Sequence, residues 1–318
     1  MRLSFAKAAA ETMARILFIL HISQLFMVKG KGARIVLLYH NPDPSVFESH
    51  LRFIKANYSI LPLSENVSSS LGPKLSITFD DAYRRNCTEI YPLLKKHSSP
   101  AAIFVATSYI GGIFWLEALK LALQATREKK VSIPELGIEC GLKTPRQRKD
   151  LWFEFARKLL GYRATKRDRM IMRIVRLLKV EKVSLADAVV CSEKELMSML
   201  PLVELGAHTV THPDLVSLGQ KSAYKEIGAS KSAIERITGR ECIYFAYPFG
   251  KKPHFNEKTG LLLKQQGLRY AFTTIPSWNE GIGPFEIGRI GVGDNDSVDL
   301  LCLKLSVFWP LISSFGDL

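Results

Sequence analysis

The stretch LSITFDD, residues 75–81, is the most informative part of the sequence. Along its first five positions apolar residues alternate with small polar ones, and this period of two predicts a buried β-strand. The strand ends in two adjacent carboxylates, Asp80 and Asp81. Neighbouring like charges raise the pKa of one of the two groups, and a cation relieves that cost. We therefore expect a positively charged partner to lie close to this pair.

On both sides of this strand, strand-like and helix-like segments alternate along the chain. Repeated β–α alternation predicts a mostly parallel sheet, either open or closed into a barrel. Helices are predicted between the strands, and Gly239 stands where the C-terminal cap of one of them is expected. The predicted strands cover residues 34–39, 75–79, 101–106, 203–206, 242–247, 270–273 and 287–292. The predicted helices cover residues 47–56, 83–96, 222–238 and 257–266.

The composition is that of an ordinary globular protein. The 318 residues are 47% hydrophobic and 23% charged, which is enough to bury a full core. The five cysteines are odd in number and have no CxxC spacing. We therefore predict no disulfide framework and a reducing compartment.

The net charge of +14 is concentrated in one part of the chain. The β–α alternation stops over residues 112–195, and this stretch is basic and predicted to be largely helical. We interpret it as an insertion that lies over or beside the barrel. Its charge suits an anionic membrane surface or an acidic substrate, and equally a solvated helix face. Aromatic residues do not alternate with the basic ones, so we predict no nucleic-acid partner.

The two ends of the chain differ from the predicted domain at residues 33–300. Residues 1–32 form a basic, interrupted apolar segment that is too short for a membrane span and lacks a signal-peptide cleavage site. This segment predicts an interfacial helix, with packing against the domain as the alternative. The apolar tail at residues 301–318 has the same two interpretations. The expected location is therefore the cytoplasm, or the cytoplasmic face of the membrane as a peripheral protein.

Chemically active residues follow the predicted strands at their carboxyl ends, where parallel sheets and barrels form their sites. They are His40, Asp80, Asp81, His208 and His212. Two histidines and a carboxylate suit a divalent ion that keeps positions open for water and substrate. The adjacent carboxylate can then act as a base. Two alternatives remain open at this point, a helix N-cap for the acidic pair and a satisfied core or surface role for the histidines.

Three blocks carry a resemblance to a known family: TFDD at residues 78–81, HTVTH at 208–212 and FAYPFG at 245–250. Together with LYH at residues 38–40, they resemble the signature blocks of polysaccharide deacetylases, the carbohydrate esterase family 4 proteins with a NodB homology domain. The resemblance covers about residues 35–111 and 195–292. It implies a distorted (β/α)7-type barrel and a metal-dependent deacetylase that usually uses zinc.

The resemblance also implies roles for individual residues. Asp80 would be the catalytic base, and a backbone N–H near Tyr83 would stabilise the oxyanion formed from an acetamide carbonyl. The metal ligands would be Asp81, His208 and His212. The substrate contacts would be Tyr83, Tyr247, Pro248 and Phe249.

The chain departs from the family pattern in two places. Many members have an arginine where Ala246 stands, and many have a late histidine that acts as general acid, whereas no histidine follows His254. We expect His40 to replace that acid. We expect Arg289 to supply the positive charge that orients Asp80, with an ordinary surface arginine as the alternative.

The leading hypothesis is a hydrolase that removes an N-acetyl group from an amino sugar of a bacterial polysaccharide or a lipid-linked saccharide. The alternative is a non-catalytic carbohydrate-binding or regulatory descendant of the same fold. A weaker third hypothesis is a non-haem iron oxygenase, because such enzymes use a similar ligand set. Its double-stranded β-helix is not predicted here. Peripheral membrane contact is expected, and the sequence does not predict an oligomeric state.

Overall fold

The computed structural model describes residues 34–65, 73–180 and 182–307, together with Thr12, Arg15, Ile16, Met27 and Trp309. The interfacial helix predicted over residues 1–32 lies almost wholly outside the described residues. Within the described part, no helix is both long enough and apolar enough to cross a bilayer.

A curved parallel sheet forms the centre of the molecule. Its strands are β1 (Arg34–Tyr39), β2 (Ser59–Ile60), β3 (Lys74–Asp80), β4 (Ala101–Val105), β7 (Val203–Ala207), β8 (Tyr244–Ala246), β9 (Tyr270–Phe272) and β10 (Ile290–Gly291). Seven of them follow the order β10-β1-β3-β4-β7-β8-β9, and every pairing among these is parallel. The short strand β2 pairs with the amino end of β3. The strands β5 (Lys130–Ile133) and β6 (Ile138–Gly141) form a separate antiparallel hairpin.

One short segment brings the two edges of the sheet together. Ile287 forms a parallel bridge with Phe272 of β9, and three residues later Ile290 pairs with Leu37 of β1. A segment that bonds to the last strand on one side and the first on the other curls the sheet into a barrel. The predicted distorted (β/α) barrel is thus confirmed.

Helices surround the sheet, and most have the caps that their flanking residues predict. For example, Gly239 adopts a left-handed conformation with φ of 66° just after the helix Gln220–Thr238, as a C-terminal cap requires. The helix predicted over residues 83–96 begins instead with a π-helical turn, Asn86–Ile90, and continues as an α-helix over Tyr91–Lys96. The helices are α1 (Pro44–Asn57), α2 (Tyr91–Lys96), α3 (Trp115–Ala125), α4 (Pro145–Leu160), α5 (Ala164–Leu177), α6 (Glu193–Ser198), α7 (Gln220–Thr238), α8 (Glu257–Gln265) and α9 (Val298–Lys304).

The two faces of β3 have different neighbours. Leu75, Ile77 and Phe79 join the large apolar core between the sheet and the helices. The alternate residues turn to the barrel interior, where Ser76 accepts a hydrogen bond of 2.9 Å from Arg34. The alternation in the sequence therefore reflects a strand that is buried on both faces, with the polar face turned to buried partners rather than to solvent.

The insertion contains more than helices. Helices α3, α4 and α5 make up much of residues 112–195, but the β5–β6 hairpin lies between α3 and α4. The prediction of a largely helical stretch missed this hairpin. Gly137 makes its turn possible with a left-handed φ of 59°.

The beginning of the C-terminal segment packs into the core. Helix α9 crosses the predicted boundary at residue 300, and Leu301, Cys302 and Leu303 are all buried in the main core. These three residues therefore pack against the domain. Residues 308 and 310–318 lie outside the described part.

Candidate active site

The side chains predicted for the site converge at the carboxyl ends of the parallel strands. Asp80 is the last residue of β3, and Asp81 follows it. His208 follows β7, and His40 follows β1. The barrel thus brings together four residues that are separated by up to 168 positions in the sequence.

Asp81, His208 and His212 form a buried cluster of potential metal ligands. One ligand atom from each lies within 4.8 Å of the other two. The Nε2 atoms of both histidines are 3.7 Å from Oδ1 of Asp81. That oxygen is buried and accepts no hydrogen bond from any residue that the structure describes. Two imidazoles that face a buried carboxylate oxygen without a hydrogen-bond partner fit a divalent cation such as zinc.

The hydrogen bonds of His208 fix its ring for this purpose. Its Nδ1 lies 2.7 Å from the carbonyl oxygen of Ala246, which can only accept a hydrogen bond. Nδ1 therefore carries the proton, and Nε2 presents its lone pair towards Asp81. The ring of His212 is held by apolar contacts, edge-on to Phe114 at 5.1 Å and to Phe249 at 4.8 Å.

Burial shifts the pKa values of the three ligands in the directions that disfavour charge. Desolvation and then the neighbouring charge of Asp80 raise the pKa of Asp81 well above its ordinary value. Desolvation lowers the pKa of His208, and desolvation followed by the charge of His208 lowers that of His212 further. Neutral imidazoles are the form that binds metal, and a bound cation would favour the ionised form of Asp81.

Asp80 has a different environment from its neighbour. Arg289 donates one 2.7 Å hydrogen bond to each of its carboxylate oxygens, and both side chains are buried. Burial by itself disfavours the charged form, but the charge of Arg289 and the hydrogen bonds that it donates outweigh burial and lower the pKa of Asp80. Arg289 is itself fixed by a 2.9 Å hydrogen bond to the carbonyl oxygen of Thr273. The adjacent aspartates therefore have pKa values displaced in opposite directions.

The loop that carries the two histidines is held from both sides. From α7, the Glu226 carboxylate accepts hydrogen bonds from the N–H groups of Val210 (2.8 Å) and Thr211 (2.9 Å). From α5, Arg167 donates a 2.7 Å hydrogen bond to the carbonyl oxygen of Thr211. Thr209 and His212 both have left-handed backbones, a strained conformation that such contacts maintain.

Arg167 is unusual because it is a buried cation from the insertion. It is 1% exposed, and its guanidinium lies 4.7 Å from the ring centroid of Trp115. It also donates a hydrogen bond to the hydroxyl of Tyr109, while its carboxylate partner Asp168 is half exposed. Its position indicates that the insertion supports the histidine loop.

His40 and Tyr83 are also in the cavity wall. The His40 side chain is exposed to the cavity, and Tyr83 is buried with its hydroxyl 3.4 Å from Oδ2 of Asp81. Tyr83 forms an antiparallel bridge with Val190, and the ladder bonds on either side run from Arg84 N to the Val189 oxygen and from Cys191 N to the Ala82 oxygen. Tyr83 and Val190 are therefore a non-hydrogen-bonded antiparallel pair, in which the backbone N–H points away from the partner strand. The N–H of Tyr83 is thus not used in the pairing with Val190.

The third block divides between core and cavity. Phe249 lines the cavity and packs on His212. Tyr247 instead lies in the core, with its ring stacked on Phe255 at 4.6 Å and its hydroxyl donating to the Phe285 carbonyl oxygen at 3.1 Å. Pro248 is buried as well, and neither it nor Tyr247 is among the cavity-lining residues. The geometry therefore supports a substrate contact for Phe249 alone of these three.

A cavity of about 1000 Å³ opens above the metal-ligand cluster. It extends from the strand ends onto the insertion, which forms one of its walls through α3 and α4. The sequence predicted an insertion over or beside the barrel, but not which of its residues line the cavity, nor the contacts of Arg167 and Glu226 with the histidine loop. These residues lie outside the quoted motifs, and their long-range contacts, which the sequence does not show, distinguish them.

The matches to known proteins agree with this geometry. Residues 69–130 and 185–271 match the family described as polysaccharide deacetylase. Among solved structures, the fold is similar to the Streptococcus pyogenes deacetylase PplD in complex with acetate, with 18% identity over 88% of this chain and 99% of that one and a TM-score of 0.54. It is also similar to IcaB from Ammonifex degensii, with 17% identity, 87% and 98% coverage and a TM-score of 0.58. The BpsB deacetylase domain from Bordetella bronchiseptica gives 17% identity, 84% and 98% coverage and a TM-score of 0.52.

No curated protein matched the sequence. The barrel, the two-histidine, one-carboxylate cluster and the family match together define a hydrolase of the carbohydrate deacetylase class. The chain belongs to the polysaccharide deacetylase family, as its sequence blocks predicted.

Proposed function

We propose that this protein removes the N-acetyl group of an amino sugar, in a polysaccharide or a lipid-linked saccharide, with a divalent metal held by Asp81, His208 and His212. The observation that carries the proposal is the unpaired, buried Oδ1 of Asp81, 3.7 Å from both imidazole Nε2 atoms. Zinc is the proposed ion because nitrogen and oxygen donors in this ratio suit it. When bound, zinc supplies Lewis-acid polarisation of the carbonyl and lowers the pKa of water to about 7.

The residues of the chain would carry the proton transfers. The low pKa of Asp80 keeps its carboxylate ionised, and the two hydrogen bonds from Arg289 fix its orientation while leaving lone pairs on both oxygens. Asp80 is therefore proposed as the base that takes a proton from the attacking water. Arg289 is proposed to position it. His40, exposed in the wall of the same cavity, is proposed as the acid that protonates the leaving amine.

Two further groups are proposed to bind the substrate. The Tyr83 N–H, which lies outside the ladder with Val190, would donate to the oxyanion. Phe249 would pack on the acetyl methyl or the sugar ring next to His212. The similar structures include an acetate complex of a deacetylase, which supports an acetyl group as the one removed. A location in the cytoplasm or on the cytoplasmic membrane face stays part of the proposal.

The test is acetate release by the full chain loaded with zinc, using N-acetylglucosamine oligomers and a lipid-linked N-acetyl amino sugar as substrates. The Asp80→Asn variant is the control, since it preserves shape and removes the base. We expect one bound zinc, acetate release by the wild type and at least a roughly 100-fold loss in the variant. Bound zinc without turnover on any substrate would favour the non-catalytic, carbohydrate-binding alternative.

A further inference from the structure

The cavity is larger than its catalytic end, and its outer half is formed by the insertion. Helix α4 contributes Trp152 and Phe153 to the wall, and these residues lie outside the stretches that match the family. The outer half is continuous with the metal-ligand cluster, so both belong to one cavity. Whatever occupies the outer half is therefore part of the same substrate or adjoins it.

Trp152, Phe153 and Leu123 form an apolar floor in this outer half of the cavity. The indole Nε1–H of Trp152 donates a 3.0 Å hydrogen bond to the carbonyl oxygen of Leu116 on α3. Phe153 packs edge-on against Trp152 at 4.8 Å, yet half of its surface is exposed. Leu123 extends the apolar lining. A floor of one aliphatic and two aromatic side chains buries apolar surface of its occupant.

Two lysines without carboxylate partners lie on the rim of the apolar floor. Lys143 and Lys149 are exposed, line the cavity and form no ion pair with any residue in the described part of the chain. The Nζ of Lys149 lies 6.0 Å from the ring centroid of Phe153, at the border between the lysines and the floor. The other two cations of this wall are already used. Lys120 pairs with Glu117 at 3.0 Å, and Arg148 donates to carbonyl oxygens at the end of α3, including that of Thr126 at 2.9 Å.

Resting on the proposed deacetylation, we propose that the outer half of the cavity binds the carrier of the substrate, an apolar chain joined to the amino sugar through a phosphate. The apolar chain would lie on Trp152 and Phe153. The phosphate would lie between the floor and the two lysines, which supply the charge that such a group requires. The protein thus acts on a lipid phosphate-linked amino sugar, with the acetamide at the metal-ligand cluster.

Direct binding tests the site without any turnover. The probe is dodecyl phosphate added to the full, zinc-loaded chain, followed by intrinsic tryptophan fluorescence or calorimetry. We expect saturable binding that dodecanol and inorganic phosphate do not reproduce. Phe153→Asp and Lys149→Glu should each weaken it about 10-fold or more, since each removes roughly 1.4 kcal/mol or more of contact. The matched control is Lys130→Glu, an exposed lysine of the hairpin that does not line the cavity.

Turnover gives a second measurement. The same N-acetyl amino sugar is presented as a dodecyl phosphodiester and as a methyl glycoside, and the ratio of the two kcat/KM values is compared between variants. We expect a ratio above about 10 in the wild type, a lower ratio in Phe153→Asp and Lys149→Glu, and no change in Lys130→Glu.

Two results would overturn the inference: equal dodecyl phosphate binding by the wild type and both cavity variants, or a ratio near one. Hydrolysis of neither substrate, with probe binding as expected, would overturn the proposed deacetylation and leave the carrier site standing. Hydrolysis of the methyl glycoside without binding of dodecyl phosphate would overturn the carrier site and leave the proposed deacetylation standing.

Discussion

Arg289 and Asp80 form a two-pronged ion pair inside the barrel, with each guanidinium NH₂ group 2.7 Å from one carboxylate oxygen. Both side chains are buried, and the guanidinium also lies 5.4 Å from the ring centroid of Phe104. The arginine comes from the segment that closes the barrel, not from the third sequence block, where Ala246 stands. A residue 209 positions away thus provides the positive charge that the acidic pair requires.

We predict that Arg289→Met destabilises the fold by about 3–5 kcal/mol, because it leaves a buried carboxylate without its partner. Chemical denaturation measures this loss. The acidic limb of the activity profile should also move to higher pH, since burial, unopposed, raises the pKa of Asp80. Arg289→Lys keeps the charge but not the two-pronged geometry, so its stability should lie between those of the wild type and Arg289→Met.

The control for this prediction is the double variant Arg289→Met with Asp80→Asn, in which no carboxylate is left unpaired. It should be more stable than Arg289→Met alone, as a coupled pair requires. Equal stability of the wild type and Arg289→Met would show that the ion pair contributes nothing to the fold.

Removing Arg167 should weaken metal binding with little effect on the barrel itself. Arg167→Met removes the 2.7 Å hydrogen bond to Thr211, so the loop that carries both histidines loses one of its two supports. Residues that orient metal ligands typically change affinity by about 10- to 100-fold, and we expect a loss of that size. Competition with a chelator of known zinc affinity gives the measurement.

Arg173→Met is the matched control for Arg167→Met. It lies on the same helix and is exposed, and among the described residues its ion-pair partner is Glu135 at the surface. The control should bind zinc like the wild type. Wild-type affinity in Arg167→Met as well would mean that Glu226 alone is sufficient to hold the loop.

The proposed acid can be separated from the metal ligands by substitution. His40→Ala should bind one zinc like the wild type, because His40 is not in the ligand cluster. Its turnover should fall about 10²- to 10⁴-fold, the usual contribution of a general acid. His97→Ala is the control, since His97 pairs with Glu48 (3.1 Å) and is not among the residues lining the cavity. Unchanged turnover in His40→Ala would remove this residue from the mechanism.

His50 predicts a loss of stability in mild acid. It is buried between Tyr39 and the carbonyl oxygen of Asp296, and burial lowers its pKa below the ordinary histidine value of 6.5. As the pH falls below about 6.5, the unfolded chain therefore binds a proton at this histidine before the folded chain does. The free energy of unfolding then decreases by up to about 1.4 kcal/mol per pH unit until the pH reaches the lower pKa of the folded state.

Urea denaturation between pH 7.5 and 5 measures this effect. The ligand histidines shift in the same direction, so the contribution of His50 is the difference between the wild type and His50→Gln. The acid-dependent loss should be smaller in the variant. Parallel curves for the two proteins would contradict the prediction.

The class of fold and the convergence of the predicted site residues follow from patterns within short stretches of the sequence. Local patterns are enough for this, because a period of two marks a buried strand and parallel strands place their carboxyl ends at one edge. The pattern of LSITFDD thus predicted β3, and the histidine block predicted the ligand cluster. The family blocks predicted the deacetylase class.

Which groups support that site, and what surrounds it, depends instead on the packing of the whole fold. The ion pair of Arg289 with Asp80 joins residues 209 positions apart. Arg167 and Glu226 contact the histidine loop from two different helices, and in the sequence both resemble ordinary surface charges. The same holds for Tyr247, whose motif predicted a substrate contact and whose ring lies in the core. Burial and long-range contact depend on how the elements pack, which no local period encodes.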